Sequence, residues 1–584
     1  MSTVILPRRA ARLPMPVADA LVALAIALAL VAWHAAAGFP TLADSGGDND
    51  SVMRLVRIRD LIAGQGWFDP AQYRMGLEGG FAMHWSRLVD LPVAALILLF
   101  GETAALVIWP VVLFASALFL ILRAARNIGE EAVALPAAVI GGLALYYVNL
   151  FVPGALDHHN VQLVLALALL VMLLRHRAPF ACGAAAGVLA ALMLAVGMEA
   201  APLVAAACGC VALAFVFGTR PDAQRAAGFG LGFGGAALAC LVATLPQGEW
   251  LAAQCDAFSL PQASLAILGG FGLAAASIAQ TRLRRAGALA VLAVATAALL
   301  LAAFPQCLAD PYAGLDPRLT RYWLSAVKEA QPALSVLRVD PAMFAACYVT
   351  PVIALAAMWP IWRRGEAREM ATMAALLAMA VLVSMWQVRG MLFSLPLAAI
   401  PLAAWVAQAR RRAETKPGAG SQLLMAAAWL VSINIVWQAA AQLVVARGGD
   451  SAGTGEAASA CTGAPSHAAL AALPAGTVLA ISNLGAPILA YTPHRVLAGP
   501  YHRNVDGNLA ALDLLMGAPE EAEEQARRLG IDYVAVCPGN GETSAIASWA
   551  PQGLLARLAA GEVPAWLEPE EEKEGLRIYR AFAG

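Results

Sequence analysis

The sequence predicts a polytopic α-helical membrane protein that ends in a small α/β domain. Its 584 residues are 60% hydrophobic and only 13% charged, whereas soluble chains carry about 25% charged residues. The apolar residues gather in runs of about 18 or more, the length at which a helix crosses the hydrocarbon core of a bilayer. The net charge of −1 gives no electrostatic basis for binding nucleic acid.

Short basic clusters, such as 282–285 and 410–412, alternate along the chain with segments that are poor in arginine and rich in acids, His and Trp. If the clusters lie in the cytoplasm, every intervening segment lies outside the cell membrane, and inside and outside segments alternate consistently over about thirteen spans. The run 92–100 is too short to cross and is expected at the membrane interface. The predicted spans are 17–37, 103–122, 132–151, 160–174, 179–197, 201–218, 226–245, 262–280, 286–304, 343–362, 370–386, 390–408 and 421–443.

Two domains follow from this pattern. Residues 1–443 form the transmembrane domain, with a first external loop at 38–91 and a late external loop at 305–342. Residues 444–584 form a soluble domain, predicted to be periplasmic, while the N-terminus is cytoplasmic in a bacterial inner membrane. Apolar stretches that alternate with a helical segment predict an α/β fold there: Thr477–Ile481, Pro519–Leu529, Asp532–Cys537 and Leu576–Tyr579.

Ionisable side chains that remain near span ends are functional candidates, because charge close to hydrocarbon costs free energy. On this chain they gather on the predicted external face, beside the long loops. The candidates are Asp48, Asp50, His84, Arg87, Asp157, His158, His159, Glu199, Glu329 and Arg389.

Several candidates together indicate a divalent cation. Carboxylate oxygens suit Mg²⁺, and one imidazole favours Mn²⁺ or a later metal. Asp157 and His159 lie two residues apart in one turn, and either Asp48 or Asp50 would complete the site from the first loop. The structural alternative also stays open, in which the two aspartates cap a helix that starts near Ser51.

The remaining candidates have structural alternatives as well. Glu329 either has a role in the chemistry or pairs with a neighbouring basic residue. Arg389 either binds a phosphate group or snorkels at a span end, and His84 with Arg87 either binds a phosphate group or belongs to an interfacial aromatic anchor. Three arginines of the first loop are expected, at least in part, on a solvated helix face: Arg54, Arg57 and Arg59.

Four cysteines are predicted to lie outside the membrane, where an oxidising periplasm permits disulfides. Cys255 could pair with Cys307, and Cys461 with Cys537. The sequence contains no HExxH, Walker, GxSxG or CxxC motif. A metal-assisted reaction at the external face is therefore the chemistry that the residues favour.

Several of these motifs, in this order, resemble the catalytic subunits of oligosaccharyltransferases, which belong to the GT-C superfamily of membrane glycosyltransferases. In the first loop, Asp50, Arg57 and 66–69 (Gly-Trp-Phe-Asp) are similar to the family's acidic residue, arginine-bearing helix and Gly-Trp-aromatic-Asp stretch. Asp157-His158-His159 is similar to the family's Asp-x-His motif. Later matches are scattered over the rest of the chain: 326–332, Val388-Arg389, Gly485, Arg495, 520–522 and 530–534.

The resemblance implies an inverting transfer of a sugar or oligosaccharide from a polyprenyl phosphate or pyrophosphate carrier to an extracytoplasmic glycan, lipid or protein. It implies a metal on Asp50, Asp157 and His159, an acceptor contact at Asp50 or Glu329, and a phosphate contact at Arg389. The family's Trp-Trp-Asp motif, which reads the Asn-x-Ser/Thr sequon, is missing at 481–485, so another acceptor is expected. A transporter of an envelope lipid or solute is the alternative, and a non-catalytic scaffold is a third.

Overall fold

The computed structural model describes residues 14–42, 48–129, 131–309, 312, 314–362, 367–447 and 461–581. The part before residue 447 is helical apart from one two-stranded hairpin, β1 (Ala71–Gln72) with β2 (Phe81–Ala82). Its helices are α1 (Met15–Ala36), α2 (Asn49–Ile62), α3 (Arg87–Phe100), α4 (Glu102–Ile128), α5 (Ala134–Tyr147), α6 (His159–Leu174), α7 (Pro179–Val196), α8 (Ala201–Phe217), α9 (Arg220–Thr244), α10 (Leu260–Ala276), α11 (Arg282–Ala303), α12 (Pro317–Tyr322), α13 (Ala333–Val339), α14 (Pro341–Trp362), α15 (Ala367–Trp386), α16 (Met391–Thr415), α17 (Ala419–Val431) and α18 (Asn434–Arg447).

Apolar helices occupy every predicted span. Among the described residues, nine helices are long and apolar enough to cross a membrane, and α17 with α18 passes the same test as a pair bent by 83°. The remaining predicted spans correspond to the shorter apolar helices α5, α6 and α10. The polytopic helical fold that the sequence predicts is confirmed.

The apolar run 92–100 forms the last part of α3. Its end is strongly exposed, with Leu98 at 71% and Leu99 at 73% of full exposure. Exposed apolar side chains in a row are what a helix tip at a lipid interface would show, and the interfacial position of this segment stays a prediction.

Basic residues join helix ends that the charge pattern assigns to the cytoplasm. Arg126, near the end of α4, lies 2.7 Å from Asp19 in the first turns of α1. Arg225, near the start of α9, donates to the carbonyl of Leu173 at the end of α6 over 2.9 Å. The other end of α6 begins at His159 of the candidate site, and the orientation in the membrane stays a prediction.

The C-terminal part is built around a five-stranded mixed sheet in the order β4-β3-β5-β7-β6. β4, β3 and β5 are parallel, whereas β7 is antiparallel to both β5 and β6. The four predicted segments correspond to β3 (Thr477–Leu479), α22 (Pro519–Leu529), β5 (Tyr533–Val536) and β7 (Arg577–Ala581), so the α/β expectation agrees with the structure. The other elements were not predicted: α19 (Ala468–Ala471), α20 (Ser482–Tyr491), β4 (Arg495–Val496), α21 (Val505–Met516), α23 (Gly541–Trp549), α24 (Leu554–Ala560) and β6 (Leu567–Pro569).

The first external loop is attached to this sheet. Met75 pairs with Val496 of edge strand β4, where the amide of Val496 donates to the carbonyl of Arg74 over 2.9 Å. Met53, Met75 and Trp85 are buried in the same hydrophobic core as the strands of the sheet. The sheet and the first loop therefore pack as one unit above the helix bundle, which fixes the position of α2.

Two disulfides lie in the outer part of the molecule. Cys255 is bonded to Cys307, which joins the segment after α9 to the segment after α11. Cys461 is bonded to Cys537 within the C-terminal part. These are the pairs that the sequence suggested, and both stand on the side of the predicted external loops.

Candidate functional site

The first wall of the site is the N-terminus of α2. Asp48 is the N-cap of this helix, and its carboxylate accepts from the amide of Ser51 over 2.7 Å and from the Ser51 hydroxyl over 2.6 Å. An aspartate at this position satisfies an otherwise unpaired helical N–H group. The structural alternative for Asp48 is thus realised, whereas Asp50, in the first turn, makes no hydrogen bond or ion pair within the described part of the chain.

Ser51 connects α2 to the second acidic motif. Its buried hydroxyl oxygen accepts from the amide of Leu156 over 2.9 Å and from the amide of Asp157 over 3.1 Å. One serine therefore sets the position of two carboxylate-bearing segments that are about a hundred residues apart in the sequence.

The second motif surrounds the start of α6. His159 Nδ1 lies 2.7 Å from Asp157 Oδ2, and His158 Nδ1 lies 2.9 Å from Asp157 Oδ1. The imidazole of His158 also lies 3.7 Å from Glu199, in the turn that precedes α8. Both histidines are buried, so the two imidazoles hold the Asp157 carboxylate between them at the edge of the bundle.

The acidic groups influence one another strongly. Burial and the neighbouring Asp157 carboxylate raise the pKa of Asp48 to about 7. Burial, Asp157 and Asp48 also raise the pKa of Asp50 well above its ordinary range. For Asp157, burial acts in the same direction, but His159 and His158 outweigh it and hold its pKa well below the ordinary value. Carboxylates that disfavour each other's charge form a site that a cation would stabilise.

The donor set fits a divalent metal ion. Asp157, His158 and His159 each offer one ligand atom, and these atoms lie within 4.8 Å of one another. His159 Nε2 is buried and has no hydrogen-bond partner among the residues that the structure describes. An imidazole whose other nitrogen contacts a carboxylate is the usual arrangement of a metal-ligating histidine.

A buried cluster of arginines corrects the expectation for the first loop. Arg54 lies 2.7 Å from Asp90, and Arg57 and Arg87 each lie 3.5 Å from it. All four side chains are buried, so Arg54 and Arg57 do not lie on a solvated helix face. Only Arg59 is partly exposed, and it pairs with Glu102.

Arg87 is also placed differently from the expectation. Its guanidinium donates to the backbone carbonyls of Arg57 and Asp69, over 2.9 Å each. It shares the Asp90 carboxylate with Arg54 and Arg57. Arg87 therefore supports the loop that carries His84, and it does not line the cavity that contains Arg389.

A cavity of about 200 Å³ adjoins the acidic cluster. Its polar lining includes His84, His159, Glu199 and Arg389, while Val383, Trp386 and Phe393 form an apolar wall. Trp386 is exposed at the end of α15. The cavity thus combines polar groups of the candidate site with an apolar wall that includes the exposed Trp386.

Arg389 contributes a guanidinium group to the lining of this cavity. Its guanidinium donates to the hydroxyl of Tyr312 over 3.1 Å, and its Nε is buried without a partner in the described ranges. The amide of Val388 donates to the carbonyl of Gln331 over 2.9 Å, which attaches the late external loop to the same turn. Glu329 of that loop is exposed, and its charge acts on both Asp48 and Asp50.

Four residues at the site were missed by sequence reasoning. Serine and tyrosine carry no distinctive spacing, so Ser51 and Tyr501 gave no signal; the Tyr501 hydroxyl donates to the carbonyl of Asn49 over 3.0 Å. Asp256 is adjacent to a cysteine that was singled out, which was a usable signal. His502 comes from the C-terminal part, and its place beside His84 depends on how the domain is attached.

Solved structures identify the architecture. No family model and no curated protein matches the sequence. Archaeal oligosaccharyltransferase AglB from Archaeoglobus fulgidus, in complex with an inhibitory peptide and a dolichol-phosphate, matches with a TM-score of 0.64 and 14% identity over 97% of this chain and 74% of that chain. The oligosaccharyltransferase from the same organism in complex with Zn and sulfate gives 0.59 and 15% over 93% and 70%.

A mycobacterial protein matches as well. Arabinofuranosyltransferase AftD from Mycobacteria gives a TM-score of 0.50 and 14% identity, over 100% of this chain but 42% of that longer chain. At these identities the matches show the fold. The chain therefore has the GT-C fold that these solved structures share.

Proposed function

We propose that this protein is an integral-membrane glycosyltransferase. It would transfer a sugar or oligosaccharide, with inversion, from a polyprenyl phosphate or pyrophosphate carrier to an extracytoplasmic acceptor. The observation that carries the proposal is the contact of Asp157 with His159, tied by Ser51 to the helix start that carries Asp50, next to a cavity lined by His159, Arg389 and an apolar wall. The related fold supports it, because the archaeal neighbour was solved with a dolichol-phosphate.

The cavity suits a lipid-linked donor. The leaving phosphate gains negative charge as the bond to the sugar breaks, and a guanidinium such as Arg389 is a strong, directional partner for phosphate oxygens. His84 stands at the same polar end. The apolar wall of Val383, Trp386 and Phe393 would contact the polyprenyl chain, so that the sugar is presented at the outer surface of the bilayer.

A divalent cation, Mn²⁺ or Mg²⁺, would stabilise the leaving phosphate as a Lewis acid when bound. We assign Asp50, Asp157 and His159 as its ligands. His158 and Glu199 would support Asp157 from behind, and Ser51 holds the two ligand segments together through its hydroxyl group.

Asp50 or Glu329 would contact the nucleophilic group of the acceptor. Asp50 makes no hydrogen bond among the described residues, whereas Asp48 is engaged as a helix cap, so Asp50 is the better acceptor contact of the two. Glu329 is exposed on a loop that is attached to the turn of Arg389. A carboxylate in either position could accept a hydrogen bond or a proton from an incoming hydroxyl or amide group.

The acceptor is proposed to be a glycan, lipid or protein other than the Asn-x-Ser/Thr sequon. Where the family's sequon-reading motif is expected, α20 begins, and Glu542 accepts from the amides of Ser482 and Asn483 over 3.0 and 2.8 Å. These polar groups are satisfied within the domain. A sequon would therefore lose its main hydrogen-bonding reader.

We place the protein in the bacterial inner membrane, with its C-terminal domain in the periplasm. The basic clusters of the sequence support this orientation through the positive-inside rule. The two disulfides are compatible with an oxidising compartment.

Transfer from a radiolabelled polyprenyl-linked sugar tests the proposal. In membranes that contain the full chain, we expect Asp157→Ala and His159→Ala each to lower transfer about a hundredfold or more, because each removes a metal ligand. His176→Ala is the matched control, since His176 is exposed just beyond the other end of α6. Equal transfer by all three variants would exclude the proposed metal site, and uptake of a solute without any transfer would favour the transporter alternative.

A peptide with an Asn-x-Ser/Thr sequon tests the acceptor. Incubated with the purified protein and a lipid-linked donor, the peptide should remain unmodified in mass spectrometry, because no Trp-Trp-Asp motif is available at 481–485. The control is the same donor with native membrane lipids and glycans as acceptors, where label should appear. A glycosylated asparagine would show that this expectation is wrong.

A further inference from the structure

The donor cavity has a second polar wall, and the C-terminal domain supplies it. His502 follows Tyr501, whose hydroxyl group binds the carbonyl of Asn49 at the start of α2. The ring of His502 lies 4.6 Å from the ring of His84 and meets the ring of Tyr312 edge-on at 6.1 Å. Because the Tyr312 hydroxyl binds Arg389, His502 belongs to the same continuous set of groups as that arginine.

The imidazole of His502 is held in a defined orientation. Its Nε2 lies 2.8 Å from Asp256 Oδ2. Arg503 donates to both oxygens of the same carboxylate, over 2.7 Å each, so Asp256 cannot turn away. Asp256 in turn adjoins Cys255, which is disulfide-bonded to Cys307. With Nε2 on the carboxylate, the other ring nitrogen faces a ligand in the cavity, and in the imidazolium form of the ring it is a second N–H donor for an anion.

The surrounding charge favours an anion over a second cation. His84, Asp256 and His502 offer ligand atoms within 4.8 Å of one another, but Arg503 already compensates the carboxylate. A metal ion there would lie beside a guanidinium. Burial, and then His502 and Arg503, hold the pKa of His84 well below its ordinary value, as expected where the local potential is positive.

We propose that His502 is a phosphate-binding residue of the donor cavity, contributed by the C-terminal domain and positioned by Asp256 and Arg503. The inference rests on the proposed function, because the phosphate in question is that of the polyprenyl carrier. It extends that function by making the docked C-terminal domain part of the donor site. His84 and Arg389 would contact the phosphate from the membrane domain, and His502 from the opposite side.

Binding of undecaprenyl phosphate to the purified full chain, compared with uncharged undecaprenol, tests this role. The change in tryptophan fluorescence is a suitable signal, since Trp386 lines the cavity. We expect His502→Ala and His502→Phe each to weaken binding of the phosphate about tenfold, the loss typical of one charge-assisted hydrogen bond. Binding of undecaprenol should not change. The Phe variant preserves the ring contacts with His84 and Tyr312, so it separates phosphate binding from packing.

Two further variants make the outcomes distinct. Asp256→Asn should weaken phosphate binding in the same direction, whereas His467→Ala, a buried histidine that contacts the carbonyl of Gly463 in the same domain, should leave it unchanged. If Arg389→Ala weakens binding and both His502 variants bind like the wild type, the inference is overturned while the proposed function stands. If the wild type itself does not prefer undecaprenyl phosphate over undecaprenol, the proposed function is overturned.

Discussion

Ser51 joins the two acidic segments of the site through one hydroxyl group. It is fully buried, donates to Asp48, and accepts from the amides of Leu156 and Asp157. Without this hydroxyl, two backbone amides and one carboxylate would lose their common partner. At this scale, the geometry of the acidic cluster depends on a residue that has no part in the chemistry.

Ser51→Ala should therefore destabilise the protein. Leaving buried amides unpaired costs about 1–3 kcal/mol, so we expect the free energy of unfolding in detergent to fall by about that amount. Ser548→Ala is the control, because Ser548 is exposed and its hydroxyl donates to Ala545 within its own helix. A surface change of this kind should stay within about 0.5 kcal/mol. If the two variants were equally stable, Ser51 would not hold the segments together.

Residue types alone identified the acidic cluster but did not predict which groups each charged side chain contacts. Asp157 and His159 were found from their spacing, and the structure places them in contact. Arg87 was one of the candidates for binding phosphate, yet its two terminal nitrogens donate to backbone carbonyl groups. A side chain's partners come from other parts of the chain, and those partners cannot be deduced from local spacing.

The environment of the whole helix α2 also could not be deduced from local spacing. Its arginines at helical spacing indicated a solvated face, but Arg54 and Arg57 are buried around Asp90 of α3. Asp90 lies 36 residues further along the chain. Three arginines around one carboxylate leave excess positive charge in the loop, next to the carboxylates of Asp48 and Asp50. The helix therefore carries acidic groups at its N-terminus, and the positively charged Arg54 and Arg57 follow in its next turns.

The helices of the bundle were predicted more completely. Every predicted span coincides with an apolar helix among the described residues, because the bilayer imposes apolar length on any sequence that crosses it. The ends were harder to predict. The span predicted at 132–151 ends as a helix at Tyr147, since Asn149 adopts a left-handed backbone conformation with φ of 58°.

In the whole molecule, the site exists only because three distant parts of the chain meet. The first loop brings Asp50, the start of α6 brings Asp157 and His159, and the C-terminal sheet holds the first loop through the pairing of Met75 with Val496. Hydropathy and the arginine pattern predicted that these parts lie on one face of the membrane. It could not predict their convergence, which depends on the shared core between the loop and the sheet.

Manganese binding to the purified full chain tests this convergence most directly. Electron paramagnetic resonance counts free Mn²⁺ during a titration, and we predict about one bound ion per chain. Asp50→Asn and His159→Gln, which change ligands on different elements, should each weaken binding more than about tenfold, and His176→Ala should not. Absence of binding, or binding that both ligand variants leave unchanged, would contradict a metal site shared between α2 and α6.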